Sequence, residues 1–380
     1  MVYITGFLPP QYKQMSFDDL LFSPADYRAD CINENRANTR TYEVERPSEK
    51  CLKKVDVVKL TMLLADFNKR TEYLRARQRR ELYREFYIPK NSGGFRKIDA
   101  PNAELKAALR ELKAIFEDKF HALYHTSAFA YIRNRSTVDA VKRHQENESK
   151  WFAKFDFSNF FGSTTLDFVM RMFSTVFPFS EICRYEAGKS ELSKALELAF
   201  LDGGLPQGTP ISPLITNVMM IPIDFTIAKA LRDFNGEHYI YTRYADDILV
   251  SSKYDFKYRE VEDLIRSKLA LFGAPFVMKP EKTRYGSSAG RNWNLGIMLN
   301  ANNELSIGHK NKRRFEAALS SYAMDKKNGK SWDLHDVQVL EGQRNYYRMV
   351  EGENIDKIVS FISQKFGVDI PKMIKADLRT

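Results

Sequence analysis

The stretch His238-Tyr239-Ile240-Tyr241-Thr242-Arg243-Tyr244-Ala245-Asp246-Asp247-Ile248-Leu249-Val250-Ser251-Ser252 decides how this chain is read. Aromatic and β-branched residues fill both ends and a pair of acids falls in the middle. The pattern predicts a β-hairpin with two carboxylates at its tip. Acids held that close repel unless positive charge sits between them. Mg²⁺ meets that need, because it is hard, takes oxygen ligands and binds through a few carboxylates plus substrate phosphates. Asp also favours turns for local reasons, so the hairpin alone is only suggestive.

Two other stretches add weight. Lys154-Phe155-Asp156-Phe157-Ser158-Asn159-Phe160-Phe161 sets one Asp in an aromatic run. A carboxylate amid so much apolar surface should not be left unpaired. Capping of a following helix would explain it; ligation of a metal at a strand end is the favoured reading. Asp156 and Asp246 are far apart in sequence but meet if their strands are neighbours in one sheet. Three acids around two cations then form a clamp for in-line phosphoryl displacement. In Gly203-Gly204-Leu205-Pro206-Gln207-Gly208-Thr209-Pro210-Ile211-Ser212-Pro213, Gly and Pro restrict a loop. Ser212 and Pro213 read as N-cap and first helical residue, opening an apolar helix from Leu214 to Leu231. The backbone N–H groups of such a loop suit a phosphate or a sugar.

The ordered set FDFSNFF, LPQGTPISP and YADD resembles the palm of a reverse transcriptase, most of all the bacterial group of retron, group II intron and defence-associated enzymes. The resemblance covers roughly residues 85 to 350. It implies an α+β fold of right-hand architecture, with an antiparallel-sheet palm, discontinuous fingers and an α-helical thumb. It implies RNA-directed DNA synthesis with two Mg²⁺ ions (Mn²⁺ as a substitute), from dNTPs and an RNA template, to a DNA product. Asp156 and Asp246 resemble the principal metal ligands, Asp247 the adjoining acid, and the Phe157 carbonyl a backbone ligand. Phe161 matches the aromatic gate that fills the space of a ribose 2′-OH; a plain core Phe is the alternative. Gln207, with Gly208, matches the segment along the incoming nucleotide, and Tyr244 packs below the primer end.

Looser matches follow. Lys90-Asn91-Ser92-Gly93-Gly94-Phe95-Arg96 resembles the fingers hairpin that closes on the triphosphate, with Arg96 and then Lys90 as phosphate contacts. Lys282 fits a lysine that protonates the leaving pyrophosphate. Asn294-Leu295-Gly296 resembles the primer grip. Retron enzymes carry Asn-Ala-x-x-His, whereas here the comparable stretch is Asp139-Ala140-Val141-Lys142-Arg143-His144. They also carry Val-Thr-Gly near the grip. The Cys and His cluster of intron endonucleases is missing, and Gln207-Gly208 is intact, unlike in diversity-generating enzymes. These departures place the chain nearest the defence-associated and abortive-infection relatives. The resemblance then implies a structured non-coding RNA as template and a role against phage.

Composition agrees with a polyanionic partner. The chain has 380 residues and a formal net charge of +10, enough for a large core and a field that attracts nucleic acid. From Lys53 to Lys97 there are 13 basic against 5 acidic residues. Arg75, Arg77, Arg79 and Arg80 concentrate on an expected helix over 71–86 with Thr71 as N-cap, and read as contacts to a nucleic-acid backbone. Lys310, Lys312, Arg313 and Arg314 read the same way on a second basic helix. Cys31, Cys51 and Cys183 are scattered and show no zinc spacing, which fits a reducing cytoplasm. His121 and His125 stand at i, i+4 but lack a third ligand. No run of 18 apolar residues or signal pattern suggests a membrane. Oligomeric state is left open.

The expected organisation is an N-terminal extension over 1–52, fingers over 53–152, palm over 153–166, a fingers insert over 167–202, palm again over 203–300 and a helical thumb over 301–380. Untemplated or protein-primed synthesis by the same acids is one rival reading. A non-catalytic RNA-binding scaffold is another, and a metal-dependent nuclease a third.

Overall fold

Leu60, Leu64 and Phe67 recur at helical spacing and are buried along the helix Val57–Arg70. That helix opens the computed structural model, which describes residues 57–89, 93–119, 124–234, 238–288 and 296–379. The sequence expectations for 1–52, Lys90, His121, Asn294 and Leu295 lie outside the described residues. The chain divides into two units.

The described parts of the first unit lie within residues 57–126, 158–227 and 267–277. Its strands β1 (Tyr83–Pro89) and β2 (Phe95–Pro101) pair antiparallel around the Gly-Gly turn. Gly93 and Gly94 both adopt positive φ there (88° and 75°), which only glycine adopts without steric cost. Leu105, Leu109, Leu112 and Phe116 are buried along the helix Ala103–Lys119, as their periodicity predicts. Phe116 meets Phe179 edge-on at 5.2 Å, and Phe173 lies 4.6 Å from Phe179. The helix Leu166–Phe173 starts at Thr165, whose hydroxyl accepts from the Phe168 N–H. Two further helices, Phe179–Cys183 and Glu186–Glu197, fall within 167–202, the stretch expected as an insert of the fingers.

One local expectation fails. The helix predicted over 71–86 stops at Arg75, and a 3₁₀ turn over Arg79–Leu82 leads into β1. Thr71 does not cap with its side chain; its hydroxyl donates to the Phe67 carbonyl. Pairing with residues 95–101 overrides the helical preference of the Arg-rich run.

The described parts of the second unit lie within residues 127–157, 228–266 and 278–379. Here β3 (Trp151–Ser158), β4 (Ile240–Tyr244), β5 (Asp247–Ser252) and β6 (Val277–Met278) form a sheet in the order β4-β5-β3-β6. The strand β7 (Arg284–Ser287) also pairs with β3, antiparallel. A short ribbon, β8 (Met298–Leu299) with β9 (Leu305–Ser306), precedes the C-terminal helices. Those helices are His309–Lys327, Leu334–Phe366 and Ile370–Asp377. They share one core with the sheet: Phe152 and Leu249 pack in the same cluster as Phe315, Tyr322, Leu340 and Ile355. The helix Leu334–Phe366 breaks at Glu351 (φ −134°, ψ 57°). There the buried carboxylate accepts from the Ile307 N–H at 2.6 Å and meets Lys312 Nζ at 2.5 Å.

The helix Ser212–Arg232 is long and apolar enough to cross a membrane by length and composition, a feature the sequence count of apolar runs did not register. Most of it is buried inside the protein.

Candidate active site

Within the second unit, β3 and β5 run antiparallel with Asp156 directly opposite Asp247. Residues so opposed hold their Cβ atoms about 4.5–5.5 Å apart, where like charges destabilise the pair. The other strand of the hairpin sets Tyr244 opposite Asp247, leaving Ala245-Asp246 as a two-residue tip. All three acids therefore belong to one end of one sheet.

The tip is held in a costly conformation. Ala245 has a φ of 57°, a left-handed value that costs a residue with a Cβ about 1–2 kcal/mol. It is buried, and its carbonyl accepts a hydrogen bond from Arg243 Nη1 at 3.1 Å. Arg243 is itself among the largest fully buried side chains. Its backbone N–H donates to the Ser127 carbonyl at 2.7 Å, and its own carbonyl accepts from the Phe129 N–H at 2.9 Å. Sequence reasoning passed over this residue. The available signal was a lone cation inside a strand otherwise built of aromatic and β-branched residues.

Two lysines offset the opposed acids. Lys282 Nζ lies 2.9 and 3.1 Å from the two Asp156 oxygens. Lys154 Nζ lies 2.7 Å from Asp247 Oδ2. Lys154 stands two residues before Asp156 in β3 and so shares its face. The hydrogen bond to Asp156 raises the Lys282 ammonium above its usual range. Asp246 is the least compensated: burial first, then the charge of Asp247, pushes its carboxyl above the usual carboxylate range.

Among the described residues, no three His, Cys, Asp or Glu side chains are arranged to hold a metal ion. Two of the three carboxylates are turned onto lysines instead. The donor chemistry still suits a divalent cation, since every candidate ligand is a hard oxygen and Asp246 carries charge without enough cation beside it. Phe157, the candidate backbone ligand, is buried. His125, the other metal suspect, packs edge-on against Phe225 at 4.5 Å.

The nucleotide-binding candidates of the first unit come together locally. Leu205 N–H donates to the Phe161 carbonyl at 3.0 Å, and Asp99 N–H donates to the Gln207 carbonyl at 2.9 Å. The Gln207 loop is thus tied to Phe161 on one side and to β2 on the other. Gly208 has a φ of 122°, and a Cβ there would meet Ile98 Cγ2 at 2.9 Å. Gly204 lies against the Gly162 backbone, where a Cβ would have no room. Phe161 is half-buried, packed edge-on against Phe160, and Arg96 is exposed on β2. In the second unit, burial and then Tyr346 raise the Tyr244 hydroxyl. A Cβ on Gly296, the one described residue of the expected primer grip, would lie 3.9 Å from Tyr346 Oη.

The basic candidates divide into two sets. Arg75 folds inward, donating to the Asn68 carbonyl at 3.0 Å and to the Lys194 carbonyl, so it braces two helices. Arg80 joins Asp99 at 2.7 Å and also pairs with Asp202, tying β2 to the turn before the Gln207 loop. Arg77 pairs with Glu104, Lys312 with Glu351, and Arg79 Nη1 is buried. Lys310, Arg313 and Arg314 stay exposed, and with His309 they line one concave surface of about 390 Å³.

The profile of the reverse transcriptase (RNA-dependent DNA polymerase) family matches residues 88–313, more than half of the chain. The chain belongs to that family. Among curated relatives, the retron Ec83 reverse transcriptase of Escherichia coli is 28% identical over 309 residues, covering 77% of this chain and 89% of that protein. The retron Ec73 reverse transcriptase of Escherichia coli is 28% identical over 53% of this chain and 64% of the relative. The retron Mx65 reverse transcriptase of Myxococcus xanthus is 26% identical over 75% and 65%. Departures from the retron strings at Asp139 and Asn294 therefore coexist with a match to retron reverse transcriptases along three quarters of the chain. Among solved structures, the apo telomerase of Candida tropicalis superposes with a TM-score of 0.45 at 13% identity, covering 78% of this chain and 61% of that one. The telomerase of Candida albicans with a fragment of telomeric RNA gives 0.44 at 11%, covering 77% and 56%. Likeness of that degree assigns no residue of this reverse transcriptase a role.

Proposed function

We propose that Asp156, Asp246 and Asp247 form the catalytic centre of an RNA-templated DNA polymerase that uses two Mg²⁺ ions, with Mn²⁺ as a substitute. The observation that supports this most is Asp156 opposite Asp247, with Asp246 on the adjoining strained tip and its charge poorly compensated. A sheet tolerates such repulsion where a cation is to be received. Asp156 and Asp246 would hold the ions, together with the Phe157 carbonyl. When bound, the ions supply charge that activates a primer hydroxyl and neutralises the leaving pyrophosphate. Lys282, whose Nζ donates to Asp156 here, would protonate that pyrophosphate. Lys154 keeps one oxygen of Asp247 engaged, and Lys282 would have to give up Asp156 for that carboxylate to take an ion.

In the same reading, residues of the first unit serve as fingers and part of the palm, and the C-terminal helices as thumb. Arg96 contacts the triphosphate, Gln207 lies along the nucleotide and Phe161 excludes a ribose 2′-OH. Phe161→Ala should therefore raise ribonucleotide incorporation relative to deoxynucleotide by about 10- to 200-fold, the span of one shape contact in an apolar pocket. Competition between rNTP and dNTP in primer extension measures the ratio; an unchanged ratio returns Phe161 to the core.

The template is proposed to be a structured non-coding RNA, and the biological role to be defence against phage. Sequencing the RNA and DNA that copurify with the protein, beside those of Asp246→Asn, tests the assignment. DNA complementary to a bound RNA in the wild type alone supports it. DNA without an RNA complement favours untemplated synthesis, and RNA with no DNA in either favours a scaffold.

A further inference from the structure

His144 lies in the last turn of the helix Thr137–Glu146, is fully buried and takes no part in the site described above. Both of its ring nitrogens are used. Nδ1 lies 2.6 Å from Ser251 Oγ, and Nε2 lies 2.8 Å from Thr242 Oγ1. The Ser251 hydroxyl donates to Ser149 Oγ at 2.7 Å. Its oxygen is therefore left to accept from Nδ1–H, and Nε2 accepts from the Thr242 hydroxyl. The network thus fixes one neutral tautomer. Burial agrees with this, holding the imidazole down to a pKa of about 3. The ring also packs on Phe152, with centroids 5.6 Å apart.

These three contacts fall on three different strands: Phe152 on β3, Thr242 on β4 and Ser251 on β5. Each contact stands four residues from an acid, Phe152 from Asp156, Thr242 from Asp246 and Ser251 from Asp247. Along β3 and β5 that separation is about 13 Å, too far to touch Asp156 or Asp247, and Asp246 lies beyond the end of β4. A buried imidazole costs stability unless both nitrogens are satisfied, and an apolar side chain would fill the space with no such requirement. Its use here brings direction: hydrogen bonds specify which residues of β4 and β5 lie over one point, and apolar packing does not.

We propose that His144 is a positioning residue, clamping β3, β4 and β5 from one point so that their three acids keep their mutual placement. This rests on reading Asp156, Asp246 and Asp247 as the catalytic acids. The helix that carries His144 is mounted to match. Ser136 and Asp139 form a reciprocal cap at its start, with Ser136 N–H donating to Asp139 Oδ2 at 2.8 Å. Asp139 and His144, the two positions singled out in the sequence, thus fix opposite ends of one short helix.

The test compares His144→Phe, His144→Asn, Thr242→Val and the wild type for melting, RNA binding, kcat, dNTP KM and the Mg²⁺ concentration giving half-maximal rate. His144→Phe should melt cooperatively and bind RNA as the wild type does. Its kcat should fall about ten- to a hundredfold, as for small misplacements of reacting groups, and its Mg²⁺ requirement should rise. His144→Asn, which keeps a donor toward Ser251, should recover part of the rate. Adding Thr242→Val to His144→Phe should cost little more. A folded His144→Phe with wild-type kcat and Mg²⁺ dependence overturns the proposal, as does a loss confined to RNA binding. If His144→Phe does not fold, Thr242→Val combined with Ser251→Ala carries the same expectation, and a wild-type rate there overturns it. An Asp246→Asn protein that still polymerises would instead sink the underlying assignment of the acids.

Discussion

Asp246→Asn is expected to remove polymerisation while leaving RNA binding intact and raising thermal stability in the absence of divalent cations. The loss should be about a thousandfold or more, because metal-borne charge stabilises the transition state by several kcal/mol and each 1.36 kcal/mol is worth about tenfold. The stability change has a definite sign. The Asp246 carboxyl is raised in the folded protein, so the folded state keeps a proton that the unfolded chain has already released. Stability then falls as pH rises from the ordinary aspartate range through the folded value, and the penalty is fully present above that value. Asn carries no charge and removes it. Primer extension and melting curves in a chelator measure the two effects together. A variant that is both inactive and less stable would point to misfolding, and an active one would end the metal assignment.

Binding of a template–primer should weaken by about a thousandfold between 50 and 200 mM salt if about six phosphates are neutralised. Only some of the cations that the charge pattern singled out are free to carry this. Arg75 and Lys312 are taken up by internal partners, whereas Lys310, Arg313 and Arg314 stand exposed around one concavity. Replacing these three by Gln should lower the slope of log K against log salt by about 3. Titration of a labelled duplex at several salt concentrations reads it directly. An affinity flat across that range would leave the basic surface without a nucleic-acid role.

The acid hairpin was legible because its signals are local, β-branched and aromatic flanks around a pair of acids, although Asp247 opens β5 and only Asp246 lies in the tip. The Gly-Gly hairpin was legible for the same reason. The contacts that tune the site were not. Lys282 reaches Asp156 across 126 positions, and Lys154 reaches Asp247 across 93. His144 reaches Thr242 and Ser251 across 98 and 107. No periodicity encodes such pairs, because they exist only once the strands have chosen neighbours. Arg75 shows the converse: a charge run marks a helix face as basic but cannot say that one guanidinium folds back onto Asn68. The expected helix over 71–86 failed for a related reason, since Tyr83–Pro89 owes its extended form to a partner strand.

β3 has neighbours along both edges, β5 on one side and β6 with β7 on the other. A strand gripped in that way has no free margin along which to shift. Moving it by a single position would rotate every side chain to the reverse side of the sheet, carrying Asp156 away from Asp247 and exchanging it with a buried Phe. Natural variation in length should therefore gather in the connections beyond Trp151 and Ser158, and the eight residues between them should tolerate exchange of side chains but never a deletion.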